Sequence, residues 1–168
     1  MGEARKISEN FKSYEYRIFL RAVNEEINKL KGRGMKTRFN YKDPLWNPLR
    51  HELGQYKLKG NGAPKKIYDG CHAGRTFVVL LADGTIYTCR RFESPIGHIK
   101  SDSLYDVFRH SKMLNQIRNP EAFEKCRNCN LKGYCRGCPA VAYNACGSFL
   151  GPDPQCWKNI RINGENAL

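Results

Sequence analysis

No run of apolar residues in this sequence approaches the roughly 20 that a membrane-spanning helix needs. The opening M-G-E-A-R-K-I-S-E-N has no apolar core and no small-residue cleavage site, so a secretory signal is not expected. Lys6 stands where a myristoylation signal needs Ser or Thr. There is no G-x4-G-K-[S/T] and no H-E-x-x-H, which sets aside P-loop nucleotide chemistry and zincin hydrolysis. Internal repeats and low-complexity tracts are missing as well. The four histidines, His51, His72, His98 and His110, are scattered, and only His72 adjoins another candidate ligand. Acidic residues are scarce: 16 against 29 Lys and Arg leave a formal charge of +13. The expectation is a soluble protein in a reducing, cytoplasmic setting.

What the sequence has in quantity is cysteine, eight in 168 residues. In an oxidising compartment that number implies a disulfide framework; without a signal peptide, ligation is the stronger reading. Four of the eight fall in C-R-N-C-N-L-K-G-Y-C-R-G-C, spaced C-x2-C-x5-C-x2-C from Cys126 to Cys138. A C-x2-C step turns two sulfurs toward one centre without backbone strain, and two steps joined by a short loop can wrap it. Gly133 and Gly137 suit a backbone that passes close to a bulky inorganic group. Residues 1–66 carry 16 basic against 7 acidic residues, and 67–168 carry 13 against 9. The basic surplus therefore belongs to the N-terminal third. It is a solvated face or a surface for an anionic partner such as an acidic peptide or nucleic acid.

Along the chain, residues 8–31 show helical spacing. Ser8 or Asn10 is expected to cap the helix; Phe11, Tyr14, Ile18 and Ala22 with Phe19, Val23, Ile27 and Leu30 are expected to form a broad buried face. Thr37–Tyr41 alternates like a short strand. Asp43-Pro44 and Asn47-Pro48 each signal a helix start, with the helix running to Leu53 before Gly54. Helix, strand and helix in about 50 residues resemble the last unit of a larger α/β domain, with little core of its own. Residues 55–70, rich in Gly and Lys, read as a linker. Thr76–Leu81, the Asp83-Gly84 turn and Thr85–Cys89 predict a hairpin whose open end lets Cys71 and Cys89 meet. Ser103–Asp106 is a capping box for a helix reaching Arg118 that buries Leu104, Val107, Phe108, Leu114 and Ile117. The tail after Trp157 is polar and expected to fray. The fold class is α+β: a small cysteine-organised domain with a hairpin and helices.

Cys71, twelve residues, Gly84, four residues, Cys89, then C-x2-C-x5-C-x2-C and finally Cys156 together resemble the SPASM domain, the auxiliary-cluster domain of many radical S-adenosylmethionine (SAM) enzymes. D-G-T-I-Y-T-C-R-R, P-I-G-H-I and C-R-G-C-P-A-V-A-Y resemble the family too. Two departures stand out: two residues rather than three between Cys135 and Cys138, and His98 where Asn is expected. Residues 8–54, with K-T-R-F-N-Y-K-D-P-L-W, more loosely resemble the end of the radical SAM barrel of peptide-modifying maturases. The resemblance implies a division into 1–54 as the remnant of that partial α/β barrel, 55–70 as linker and 71–168 as the auxiliary-cluster domain. It also implies two [4Fe–4S] clusters with interleaved ligands. Cys71, Cys89 and Cys138 would hold the first, and Cys126, Cys129, Cys135 and Cys156 the second. Cys146 is the possible eighth ligand or a small packing residue.

The C-x3-C-x2-C that binds the SAM-cleaving cluster does not occur in this sequence. SAM chemistry would therefore come through a radical SAM core supplied in cis or in trans. The resemblance implies a precursor peptide or protein as substrate, with the auxiliary clusters serving electron transfer or substrate contact. The competing class is a zinc-binding nucleic-acid module that uses Cys126, Cys129, Cys135 and Cys138 for one Zn²⁺ and the basic N-terminal third for phosphates. That class leaves Cys71, Cys89 and Cys156 without a role.

Overall fold

A computed structural model describes residues 11–58, 66–158, 161–162 and 165–166. Helix α1 spans Ser13–Gly32. Glu15 accepts a hydrogen bond from the Lys12 amide (2.9 Å), placing a carboxylate at the positive end of the helix dipole. The expected caps Ser8 and Asn10 lie outside the described residues. Lys29 and Lys31 in the last turn answer the negative end.

The expected strand at Thr37–Tyr41 does not form. Its aromatics are used locally instead: Phe39 lies under the Lys31 ammonium (5.9 Å), and the Tyr41 ring meets Trp46 edge-on at 5.0 Å. Asp43 then accepts from the Leu45 amide (2.8 Å) and opens the turn into α2, Trp46–Glu52.

The cysteine half is built on an antiparallel sheet of order β1–β2–β3, comprising Val79–Leu80, Thr85–Tyr87 and Pro95–His98. Leu80 pairs with Ile86, and Ile86 with Gly97. The turn depends on Gly84, whose φ of +95° is costly for any residue with a Cβ. The first strand is shorter than expected because the Gly74 amide donates to the Phe77 carbonyl (2.9 Å) and closes a turn there. Strand β3 was not expected. P-I-G-H lacks β-branched alternation, and the strand sits where it does because Gly97 lets Val107 approach; a Cβ there would meet Val107 Cγ2 at 2.7 Å.

The single helix expected over Leu104–Arg118 is two: α3, Leu104–His110, and α4, Lys112–Arg118. Ser111 is extended and ends the first helix, and its Oγ accepts from the Leu114 amide to start the second (3.5 Å). Val107, Leu114 and Ile117 are buried as expected, whereas Leu104 is exposed. Helix α5, Pro139–Cys146, follows with Cys138 at its N-cap, Pro139 in its first turn, and Gly147 at φ +76° closing it. The tail was expected to fray; of its described residues, Arg161–Ile162 (β4) and Glu165–Asn166 (β5) pair antiparallel. The molecule is α+β, as the sequence suggests.

The core corrects the reading of α1. Leu20, Asn24 and Ile27 are its buried residues, while Phe11, Tyr14, Ile18 and Phe19 are exposed. Leu20 packs with Leu45, Trp46, Leu49 and Cys135, and Tyr16, Val23, Cys156 and Trp157 lie against them. The N-terminal helices thus share one core with the cysteines. Asn47 Nδ2 donates to the Tyr134 carbonyl (2.7 Å), and Trp157 Nε1 donates to Glu52 (2.8 Å). The expected linker is docked where it is described: the Tyr68 and Asp69 amides both donate to the Gly133 carbonyl.

Candidate metal centre

All eight cysteines are free thiols, and seven of them lie near enough to influence one another in two sets, Cys126 with Cys129, Cys135 and Cys156, and Cys71 with Cys89 and Cys138. Cys126 sits in a short 3-10 turn, Cys126–Asn128, that brings Cys129 back toward it through a Cys129 amide to Cys126 carbonyl bond (2.9 Å). The loop then closes tightly, with the Tyr134 and Cys135 amides both donating to the Leu131 carbonyl. Cys156 arrives from the far end of the chain, its amide bonded to the Asp153 carbonyl (3.0 Å). Burial raises the thiol pKa of Cys126, Cys135 and Cys156, that of Cys126 to about 12. Every pair among Cys126, Cys129, Cys135 and Cys156 is close enough that one thiolate would disfavour the other.

The other group is at the open end of the hairpin. Cys71 precedes the turn into β1, Cys89 follows β2, and Cys138 caps α5. Burial raises Cys71 and Cys138, and each is further raised by a neighbouring thiol: Cys71 by Cys89, and Cys138 by Cys71. These three are less enclosed than Cys126, Cys129 and Cys135. Cys138 senses Cys71, although in sequence it closes the C-x2-C step from Cys135. Cys146 is exposed rather than buried, its thiol directed at the Ala142 carbonyl of its own helix (3.2 Å). His72 is exposed too, with Nε2 3.9 Å from Asp69.

Backbone amides are aimed at these sulfurs in a regular way. The Leu131 amide donates to Cys129 Sγ (3.3 Å) and the Gly137 amide to Cys135 Sγ (3.4 Å). The Ala73 and Lys158 amides act in the same sense on Cys71 and Cys156, and the Val141 and Ala140 amides on Cys138. In each case a donor lies two residues past the cysteine. Such N–H to sulfur bonds favour thiolate over thiol and suit a ligand sulfur. Among the described residues, no three His, Cys, Asp or Glu side chains converge tightly enough to hold a single metal ion. A lone zinc sits about 2.3 Å from each sulfur, so its ligands must crowd; a multinuclear centre holds them farther apart. Buried free thiols in two groups, with amides directed at sulfur, fit iron–sulfur centres.

Four charged residues beside the thiols, Arg91, Lys125, Arg136 and Asp153, carry no motif in the sequence. Arg136 is 2% exposed, its guanidinium donating to the carbonyls of Cys71 (3.2 Å), Asp69 (3.2 Å) and Lys132 (3.3 Å). Arg91 Nη1 reaches Cys138 Sγ at 3.5 Å. Lys125, also buried, donates to the Cys156 carbonyl (3.2 Å). Asp153 accepts from the amides of Cys138 (2.8 Å) and Gln155 (2.9 Å), and burial raises its pKa. The signal that was present is adjacency: Arg136 and Lys125 each neighbour a cysteine in sequence. Gly137 has a reason as well. It has φ +65°, and a Cβ on it would lie 2.5 Å from Asp153 Cβ.

The SPASM family, described as an iron-sulfur cluster-binding domain, matches residues 71–130. The chain is 30% identical over 88 residues to an AdoMet-dependent heme synthase of Methanosarcina barkeri, covering 52% of this chain and 25% of that protein. It is 31% identical over 108 residues to the mycofactocin maturase MftC of Mycolicibacterium smegmatis, covering 60% of this chain and 28% of that protein. The matched part of this chain thus spans about a quarter of the length of these relatives. No solved structure matches the chain. Among the described residues, no helix is long and apolar enough to cross a membrane.

Proposed function

From the premise that residues 71–130 belong to the SPASM family of iron–sulfur cluster-binding domains, we propose that this chain binds two [4Fe–4S] centres and serves a radical SAM enzyme that modifies a precursor peptide or protein. Cys71, Cys89 and Cys138 would hold the first centre, and Cys126, Cys129, Cys135 and Cys156 the second. Support comes above all from the grouping of seven free thiols into these two sets. A centre of this kind, when bound, exchanges one electron at a time. The chain's own residues fix the two positions by crossing between them: Cys135 and Cys138 belong to different groups, three residues apart. Their amides orient the sulfurs, and the core of Leu20, Leu49 and Trp46 shields one side from water.

Residues 1–54 are read as the C-terminal end of a radical SAM-type barrel, with the exposed Phe11, Tyr14, Ile18 and Phe19 offering an apolar face to the remainder. The likeness to a mycofactocin maturase supports the reading of a peptide substrate. A second reading follows from the likeness to a heme synthase, in which the substrate is a small molecule of heme formation. The cytoplasmic setting remains part of the proposal. The test is chemical: anaerobically prepared full chain should contain iron and acid-labile sulfide for two four-iron centres. One zinc and no labile sulfide would replace the proposal with the zinc module. The chain alone should release no 5′-deoxyadenosine from SAM, because it lacks C-x3-C-x2-C.

A further inference from the structure

A ligand thiol is only as well placed as the backbone beneath it, and the backbone of Cys89 is held by a side chain. Strand β2 ends at Tyr87 and β3 begins at Pro95, so Cys89 lies in the loop that joins them. The loop is closed at its neck, where the Thr88 amide donates to the Ser94 carbonyl (3.1 Å). The Ser94 hydroxyl fills that neck. It accepts from the Cys89 amide (3.3 Å) and shares its one proton between the carbonyls of Cys89 (3.0 Å) and Phe92 (3.1 Å). Ser94 is 0% exposed, so water does not compete for these groups. The turn of Cys126, Cys129 and Cys135 is closed instead by main-chain bonds, from the Cys129 amide to the Cys126 carbonyl and from the Cys135 amide to the Leu131 carbonyl.

The loop of Cys89 is also tied to the helix that carries Cys138. Phe92 is buried, and its ring packs on Tyr143 of α5 (5.2 Å between centroids) and on Phe149 just beyond that helix (6.2 Å). Arg91, between Cys89 and Phe92, brings Nη1 to 3.5 Å from Cys138 Sγ. The Ser94 hydroxyl thus joins two carbonyls, one on a candidate ligand and one on the residue that anchors the loop to α5.

We propose that Ser94 is the positioning residue of the group Cys71, Cys89 and Cys138: its hydroxyl holds Cys89 at the place that Phe92 sets against α5, so that Cys89 and Cys138 meet one centre at a fixed separation. The inference rests on the two-centre proposal above. Ser94 acts through the Cys89 backbone, and groups that orient a metal ligand in this way alter metal retention by about 10- to 100-fold. The neighbouring Thr88 supplies a control. It is as deeply buried as Ser94, yet its hydroxyl has no hydrogen-bond partner among the described residues. Replacing an unpartnered buried hydroxyl by a methyl group of the same shape is close to neutral.

The test follows iron release from the anaerobically prepared full chain into a ferrous chelator. Electron paramagnetic resonance of the reduced protein tells the centres apart, the signal lost in Cys89→Ala being that of the first. Ser94→Ala should speed release from the first centre on the order of tenfold and change the shape of its signal, with the second centre unaltered. Ser94→Thr, which keeps the hydroxyl, should restore both, and Thr88→Val should match the unaltered protein. If Ser94→Ala does not fold, Phe92→Leu decides: it stays apolar but loses the ring contacts with Tyr143 and Phe149, and it should loosen the first centre alone. Iron for two centres overturns the inference and leaves the two-centre proposal standing when release is unchanged in the deciding variant, when both centres loosen alike, when Ser94→Thr gives no rescue, or when Thr88→Val does the same damage. Iron for a single centre or none in the unaltered protein overturns both.

Discussion

The two thiol groups stand in opposite surroundings. Cys126, Cys129 and Cys135 are buried, and Cys135 with Cys156 is packed into the same core as Leu20, Trp46 and Leu49. Cys71, Cys89 and Cys138 are only half-buried, next to arginines at the open end of a three-stranded sheet. The difference teaches a division of labour. On the two-centre proposal, a centre in the enclosed group would be structural as much as electronic, since removing it would leave Cys135 and Cys156 unfilled beside that core. A centre in the open group would lie nearer solvent, where a partner or substrate can approach. Perturbations should therefore affect folding at one group and redox behaviour at the other.

The largest effect should come from stripping both centres. Metal binding supplies folding free energy when a domain's own core is small, on the order of 10 kcal/mol in the smallest structural metal sites. Treatment with oxidant and chelator should make residues 71–158 protease-sensitive, with the segment around Cys126–Cys135 cleaved first. An apo form as resistant as the loaded form would break the comparison. Next comes Leu49→Ala. Leu49 is fully buried against Cys135, so the truncation should cost about 2–5 kcal/mol and reduce iron retained by the enclosed group alone. Stability is read by denaturant unfolding and iron by the signal that survives in Cys89→Ala. A smaller loss is expected for Gly137→Ala, about 2 kcal/mol. It forces a left-handed backbone on alanine and drives its Cβ into Asp153. Because Gly137 lies between Cys135 and Cys138, both centres should loosen together, and a loss confined to one would show that the link between them is less rigid than described.

The legibility of the chain follows the same division. The thiol spacings, the Asp83-Gly84 turn and the Ser103 cap are local signals, and the sequence carries them in a few adjacent residues. What escaped depends on contacts between distant segments. The stripe Phe11, Tyr14, Ile18 and Phe19 has the period of a buried helix face, yet the cysteine half meets α1 at Leu20 instead. Periodicity shows that a helix has a face, not which partner is present to cover it. Strand β3 exists because Gly97 admits Val107, a close approach between segments that no alternation pattern announces. Ser111, one residue serving as stop and start, split a helix that apolar spacing made continuous. Arg136 and Asp153 are charged residues in the interior, and burial cannot be seen in a sequence where Arg and Asp are ordinarily exposed.

The smallest effect is expected at Cys146, and it sharpens the comparison most cleanly. Seven thiols divide as four and three, so an eighth ligand would make the open group equal to the enclosed one. Cys146 is the last residue of α5 and Cys138 is the cap at its start. Eight residues of helix at 1.5 Å each separate them by about 12 Å along the axis, a distance that the helix holds fixed. The Cys146 thiol is directed at the Ala142 and Ser148 carbonyls (3.2 and 3.7 Å) and lies against Gly151, where a Cβ would come within 2.5 Å of its sulfur. It is therefore occupied at the end of the helix that faces away from Cys138. Cys146→Ala should keep the iron content and the electron paramagnetic resonance spectrum of the reduced protein. Because the residue is exposed, stability should change by no more than about 0.5 kcal/mol. Cys138→Ala, in contrast, should lose the signal of the open group while leaving the enclosed one. Loss of iron from one centre in Cys146→Ala would mean that α5 unwinds to bring an eighth thiolate to Cys71, Cys89 and Cys138, and the two groups would then differ in charge and burial but not in ligand number.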